Sequence, residues 1–377
     1  MTEIKNPFPV SGYYGTALFC DREEETKRLV SNIKNGINTT LLSIRRMGKT
    51  GLIWHVFETL KKDKKIRCIY IDIYATQNLS DFTNQVAAGI LKAFPERNNL
   101  GKKFLDFLKG FRPVISFDGL TGEPEVSFDF STPKQNEQSI SGLFSFLESQ
   151  EVKIVIAIDE FQQVALYPEK NTEALLRTII QPLKNVQFIF SGSNKHMLSD
   201  IFTNSKRPFF SSTQSLYLTC IPETIYTAFI ADLLKKNKRK IHPEALTFIA
   251  QWTRLHTYYT QVICNKIYAT EIKDITLNVV QHECSELLNE QATVFLQYRN
   301  LLTTVQWNLL KAIAKEDKVY QPSAKSFISK NDIGTPANVQ RALEALMNKE
   351  MIYRERDDKG NYYRVYDCFL SRWLEKH

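Results

Sequence analysis

Apolar residues fall in unbroken blocks along the first 220 positions and take up a helical rhythm after them. Blocks rich in Ile and Val recur at 66–73, 154–158 and 186–190, with a shorter one at 39–43. Most lack the alternation of a half-exposed strand, and helix-like stretches separate them. That pattern predicts a parallel sheet covered on both faces. Two further blocks, 113–117 and 126–130, flank Asp118-Gly119-Leu120-Thr121-Gly122-Glu123-Pro124 and read as an inserted β-hairpin with a long turn. Strand signals then stop. Ile225, Phe229, Leu233 and Ala245, Phe248, Ile249, Trp252 fall at helical spacing. The final stretch changes again. It holds an amphipathic helix at 305–314, a shorter one at 324–329, and a third opened by Thr335-Pro336, a cap followed by proline at the first helical position. Strand-like stretches at 351–356 and 362–366 follow. Three helices and a hairpin form the pattern of a winged helix-turn-helix. The expected organisation is an α/β domain over 1–220, an all-α domain over 221–302 and a winged helix over 303–377.

Composition narrows the classes. With 377 residues, 43% hydrophobic and 24% charged, the chain reads as globular. No apolar run approaches the roughly 20 residues of a membrane span, so no membrane role is expected. The opening MTEIKNPFPV lacks the apolar core of a signal peptide, which makes a cytoplasmic location the expectation. Six cysteines lack the close spacing of a zinc site and read as buried or incidental thiols. The net charge of +8 is compatible with nucleic acid without requiring it. Its sharpest cluster, Lys235-Lys236-Asn237-Lys238-Arg239-Lys240, reads most simply as a solvated helix end or loop.

The chemistry sits at the strand ends. Ser43-Ile44-Arg45-Arg46-Met47-Gly48-Lys49-Thr50-Gly51 lies between a strand and a helix, the setting of a phosphate-binding P-loop. Backbone N–H groups of such a loop wrap a phosphate, and the helix N-terminus adds partial positive charge. Gly48 permits close backbone approach, Lys49 would reach the β- and γ-phosphates, and Thr50 would place its hydroxyl on Mg2+. Ser43 stands where the general pattern has Gly, a cost if that position needs positive φ. Downstream, Lys153-Ile154-Val155-Ile156-Ala157-Ile158-Asp159-Glu160 is an apolar strand ending in two acids, the Walker B pattern. Asp159 would hold Mg2+ and Glu160 would activate the attacking water, which makes ATP hydrolysis the expected reaction. The third strand ends in Ser191-Gly192-Ser193-Asn194, where Ser193 or Asn194 could stand between the acids and the γ-phosphate.

These motifs together resemble the archaeal-type ATPases of the MNS/STAND branch of the AAA+ class. Asn6-Pro7-Phe8 and Phe19-Cys20-Asp21-Arg22-Glu23 are similar to the family's opening segment, which the resemblance places near the nucleotide base. Arg45-Arg46 is similar to the Arg-Arg of its loop, and Ser191-Gly192-Ser193 to its third-strand segment. The run from Trp252 to Gln261 resembles its helical-domain motif, and the run from Asp367 to Leu374 its closing motif. The resemblance implies a P-loop sheet, a helical lid and a winged helix, with ATP and Mg2+ bound. There are departures. Asp21 replaces a Gly, and Leu255 and Thr257 replace the Gly and Pro of the helical-domain motif. Ser212 stands where relatives carry an arginine, and Arg207, five residues earlier, is the candidate replacement for an arginine finger. A slow ATPase acting as a switch is therefore expected.

The winged helix leaves two partners open. Thr335, Asn338, Gln340, Arg341 and Glu344 form a candidate DNA-reading face, and Arg354, Arg356, Lys359 and Arg364 a better-charged wing, with Asp357 and Asp358 at its tip. The same fold could instead pack on a protein partner or support self-association.

Overall fold

The computed structural model describes residues 5–95, 98–111, 113–130 and 132–377. Of the amino-terminal decapeptide read above, positions 1–4 lie outside the described residues. The chain divides into two compact units. One spans Ser11–Cys220; the other joins the residues up to Val10 with Ile221–His377.

The first unit runs α1 (Glu23–Lys34), β1 (Thr39–Leu42), α2 (Lys49–Leu60), β2 (Ile66–Asp72), α3 (Leu79–Ala93), α4 (Asn99–Leu108), β3 (Val114–Phe117), β4 (Pro124–Ser127), α5 (Pro133–Glu148), β5 (Lys153–Asp159), α6 (Thr172–Ile180), β6 (Val186–Ser191), α7 (Lys195–Thr203) and β7 (Gln214–Tyr217). Five strands form one parallel sheet in the order β2-β5-β6-β1-β7. The interior strand β5 shows why the apolar blocks are unbroken. Ile154, Ile156 and Ile158 enter a core with Val86 and Ile90 of α3 and Leu143 of α5. Val155 and Ala157 enter another with Leu29 of α1 and Leu52 and Val56 of α2. Both faces of the sheet are therefore buried against helices, as parallel sheets require. Strand β7 carried no apolar block because it is an edge strand in which only Leu216 is buried.

The inserted hairpin pairs Val114 with Ser127 and Phe117 with Pro124. Its second strand begins earlier than the 126–130 block suggested, because the turn is tight. Asp118 N–H donates to the Glu123 carbonyl, Gly122 N–H to the Asp118 carbonyl, and the Asp118 carboxylate caps Leu120 and Thr121. Phe128 then leaves the ladder for the core.

The second unit runs α8 (Glu223–Lys236), β8 (Lys240–Ile241), α9 (Pro243–Trp252), α10 (Thr257–Ala269), β9 (Asp274–Ile275), α11 (Leu277–Asn300), α12 (Thr304–Glu316), α13 (Lys325–Asn331), α14 (Pro336–Asn348), β10 (Ile352–Asp357), β11 (Gly360–Val365) and α15 (Cys368–Leu374). The stretch expected to be all helix carries a small parallel ladder, β8 on β9. The basic cluster closes α8. There Arg239 stacks over the Tyr268 ring at 3.7 Å and donates to the Tyr268 carbonyl. Asn6 and Asn265 exchange side-chain bonds with each other's segment, Asn6 to the Asn265 carbonyl (3.0 Å) and Asn265 to the Phe8 carbonyl (2.8 Å).

In the winged helix, Thr335 caps α14 by accepting from Asn338 N–H, β10 and β11 pair antiparallel, and Val319 adds a bridge to Tyr363. Asp317 ties this region to the preceding helices. It meets Arg254, beyond α9, at 2.6 Å and Arg364 of β11. Arg254 also donates to Ser371 Oγ at 2.7 Å. No helix among the described residues is long and apolar enough to cross a membrane.

Candidate active site

Strand β1 ends in a loop that turns back on itself before α2. Two of its residues take left-handed backbone, Arg46 (φ 63°) and Gly48 (φ 95°), and Gly48 opens α2. Ser43 is not among the positive-φ residues, so the first loop position has no need of glycine. Its hydroxyl is used. Lys49 Nζ donates to Ser43 Oγ at 3.1 Å and to the Ile44 carbonyl at 3.2 Å, and Ser43 Oγ donates to the same carbonyl at 2.8 Å. Lys49 is 7% exposed. Burial pulls its ammonium down to about 8, against the opposing pull of Asp159 and Glu160, with Arg45 adding to the depression. Met47 packs into the α1–α2 core, Arg45 and Arg46 are exposed, and Gly51 lies beside the Phe19 ring. That ring stacks on His55 of α2, with centroids 4.3 Å apart.

Parallel register brings the strand-end acids to this loop. Thr50 Oγ1 donates to Asp159 Oδ2 at 3.0 Å, across 109 positions of sequence. Tyr70 OH donates to the same oxygen at 2.8 Å. On the other oxygen, Oδ1, Asp159 accepts from Ser191 Oγ (2.6 Å) and Glu160 N–H (3.1 Å). A buried carboxylate needs such partners. Glu160 sits at φ 59° where β5 turns into a 3-10 segment, Phe161–Leu166. Its Oε2 accepts from Ser193 N–H (3.0 Å), Ser193 Oγ (2.8 Å) and Gln162 Nε2 (2.5 Å). Asn194 instead caps α7 through Met197 N–H.

Lys49, Thr50, Asp159, Glu160 and Ser193 thus form one constellation with Ser43. Arg207 joins a different set, pairing with Glu173 at 2.8 Å and Asp200 at 3.5 Å. Ser212 donates to the Phe209 carbonyl and closes a turn. Three polar residues of the site went unnoticed in the sequence: Tyr70, Gln162 and the hydroxyl of Ser191. The available signal was position. Tyr70, on β2 beside β5, pairs with Ala157 of β5, and Ser191 ends β6, the strand on its other side.

Residues 19–208 match an ATPase domain predominantly from Archaea. The chain belongs to this ATPase family. It is accordingly an ATP hydrolase with a nucleotide-binding P-loop. Residues 293–376 of this ATPase match a probable winged helix domain. A Walker-type ATPase of Pyrococcus abyssi is similar in fold, at TM-score 0.66 and 17% identity, covering 98% of this chain and 99% of that one. The ORC2 protein of Aeropyrum pernix in its ADPNP–ADP complexes aligns at TM-score 0.55 and 12% identity over 98% and 96% of the chains. The ORC1 protein of the same organism, in complex with DNA, aligns at 0.53 and 12% over 99% and 96%. At these identities the likeness is one of fold. No curated protein sequence matches the chain.

The residues present suit a nucleotide and its metal. Thr50 and Asp159 converge as hard oxygen donors beside a buried lysine. Among the described residues no group of three or more His, Cys, Asp or Glu could hold a metal. A magnesium site of this type uses few protein ligands, because phosphates and water supply the rest.

Proposed function

We propose that this ATPase is a slow, STAND-type AAA+ switch that uses ATP with Mg2+ and couples nucleotide state to movement of a lid (221–302) and a winged helix (303–377). The observation that carries the reading is the Thr50–Asp159 contact. It joins the phosphate loop to the acid strand, with Lys49 on one side and Glu160 on the other. In this mechanism the loop from Ser43 to Gly51, including Arg45, Arg46 and Met47, wraps the phosphates through backbone N–H groups. Lys49 draws the charge of the β- and γ-phosphates. Thr50 and Asp159 would hold Mg2+, which when bound neutralises phosphate charge. Glu160 accepts the proton of the attacking water, oriented with help from Ser193. Slowness follows from the lack of an arginine at Ser212 and from the ion pairs that engage Arg207.

Two substitutions test the site. Lys49→Ala is expected to abolish or severely weaken ATP binding, and wild-type affinity would refute the P-loop roles. Glu160→Gln is expected to keep binding while turnover falls about 10²-fold or more. Unchanged turnover would remove Glu160 as the base.

DNA is the partner favoured by the exposed Arg341, Arg354, Arg356 and Lys359 of the winged helix. The fold similarity to a protein solved with DNA is in keeping with it. A protein partner is favoured by a different observation. Arg364 is engaged by Asp317, which takes one cation from the wing, and Asp357 at the wing tip pairs with Lys318, a cation from outside it. Turnover and DNA affinity measured across a salt series separate the two. A DNA partner predicts affinity that falls steeply as salt rises, by counterion release. Undetectable binding at low salt points to a protein.

A further inference from the structure

Gln162 stands two residues past the catalytic acid, in the 3-10 segment that ends β5, and is 6% exposed. Its amide nitrogen lies 2.5 Å from Glu160 Oε2, the oxygen that also takes both Ser193 donors. All three bonds fall on Oε2, and among the described residues none of the hydrogen bonds to the Glu160 side chain uses Oε1. The donors come from two separate elements, the 3-10 segment and the end of β6. Such a clamp opposes rotation of the carboxylate, which one donor alone would allow. An anchor matters here, because Glu160 leaves the strand from a left-handed backbone and strand geometry does not direct its side chain.

The other end of the amide points to the same conclusion. Gln162 Oε1 is buried with no hydrogen-bond partner among the described residues. It lies against Gly192, where an added Cβ would come within 1.9 Å of it. Gly192 is not among the positive-φ glycines, so its backbone would accept alanine. Space for the Gln162 amide is what glycine supplies at that position. A buried amide that gives its N–H to one carboxylate and leaves its carbonyl unsatisfied has been kept for the first contact despite the second.

We infer that Gln162 is a positioning residue for ATP hydrolysis: it fixes Oε2 of Glu160 so that Oε1 is presented to the attacking water, and Gly192 provides the room in which it does so. The inference rests on Glu160 as the base. Asp159, Lys49 and Asp72 are the charged groups whose interactions reach this acid or its neighbour. None of them donates a hydrogen bond to Oε2, so none replaces the amide.

The test is steady-state ATP hydrolysis with ATP affinity measured in parallel on the full chain. Gln162→Met keeps the length of the side chain and removes the donor. Its kcat should fall about tenfold to a hundredfold, the worth of one hydrogen bond to a charged group, while KM and ATP affinity stay within about twofold of wild type. Gly192→Ala should lower kcat in the same way in the wild-type background and add nothing when combined with Gln162→Ala. Unchanged kcat in Gln162→Met overturns the inference. So does a Gly192→Ala effect that is equally large with and without Gln162. If Gln162→Met fails to fold, Gly192→Ala compared with and without Gln162→Ala decides the question, because it does not depend on seating a methionine in the buried site. Glu160→Gln separates the two layers: retained turnover in that variant defeats the base assignment, whereas lost turnover there with normal kcat in Gln162→Met defeats only the positioning role.

Discussion

Tyr70→Phe removes a single atom from the site, and the structure says what that atom does. The Tyr70 hydroxyl donates to Asp159 Oδ2 at 2.8 Å. Burial first, and then the charge of Asp159, push the phenol far above its ordinary range, so it remains a neutral donor at any working pH. The ring itself packs on Trp54 at a centroid distance of 5.1 Å, a contact that Phe retains. The substitution therefore deletes one of four hydrogen bonds to a carboxylate that is only 6% exposed and changes little else. A bond to a charged group is worth about 1.5–3 kcal/mol. Taking about 2 kcal/mol for a unit of this size, the melting temperature should drop by roughly 4–8 °C. Thermal denaturation of the nucleotide-free protein checks this. The same melt with Mg2+ and ATP present should show a smaller drop, because the metal would then share the carboxylate charge. A Tyr70→Phe melt within one degree of wild type, in the absence of nucleotide, would refute the claim that Tyr70 supports Asp159.

Lys49 gives the site a proton linkage. Its folded value near 8 lies below the roughly 10.4 of an unfolded lysine, so between those values the folded state is neutral where the unfolded state holds a proton. Stability of the nucleotide-free protein should rise with pH across that window. ATP binding at pH 8 should draw in about half a proton, visible by calorimetry in two buffers of different ionisation enthalpy and absent in Lys49→Arg. Arg207→Ala should leave turnover within about twofold, where loss of an arginine finger would cost 10³ or more. Asp317→Ala removes the carboxylate that pairs with both Arg254 and Arg364 and should destabilise the chain by about 1–2 kcal/mol in urea, a figure lowered for the partial exposure of Asp317. Burial raises the Asp317 carboxyl, but the two arginines outweigh it and hold the group below its ordinary value. Its contribution should therefore be present above about pH 4 and be lost on further acidification, which a pH series of melts would show.

The phosphate loop and the acid strand were legible because their chemistry sits at strand ends that a parallel sheet must bring to one edge. The doubt over Ser43 was a question about φ, which a sequence does not state. The backbone answers it, and the hydroxyl turns out to hold Lys49. The departures at Asp21 and Leu255 become intelligible in the same way. Both adopt left-handed backbone, at φ 57° and 55°, the region that glycine enters without strain. Strand β7 and the β8–β9 ladder were invisible because edge strands and two-residue ladders bury too little to leave an apolar block. Tyr70 and Gln162 carried no motif. Each acts through a neighbour fixed by pairing register or by a tight turn, and neither relation is a spacing in the sequence.

The path of the chain has a topological consequence. Residues up to Val10 fold with Ile221–His377, so one unit is built from two stretches separated in sequence by the whole of the other. Phe8 is fully buried, its ring packs edge-on to Tyr268, and its carbonyl accepts from Asn265, whose own carbonyl accepts from Asn6. The second stretch therefore does not complete its packing by itself. A chain begun at Ser11 would leave the Asn265 amide without the Phe8 carbonyl and open the Phe8 site to water.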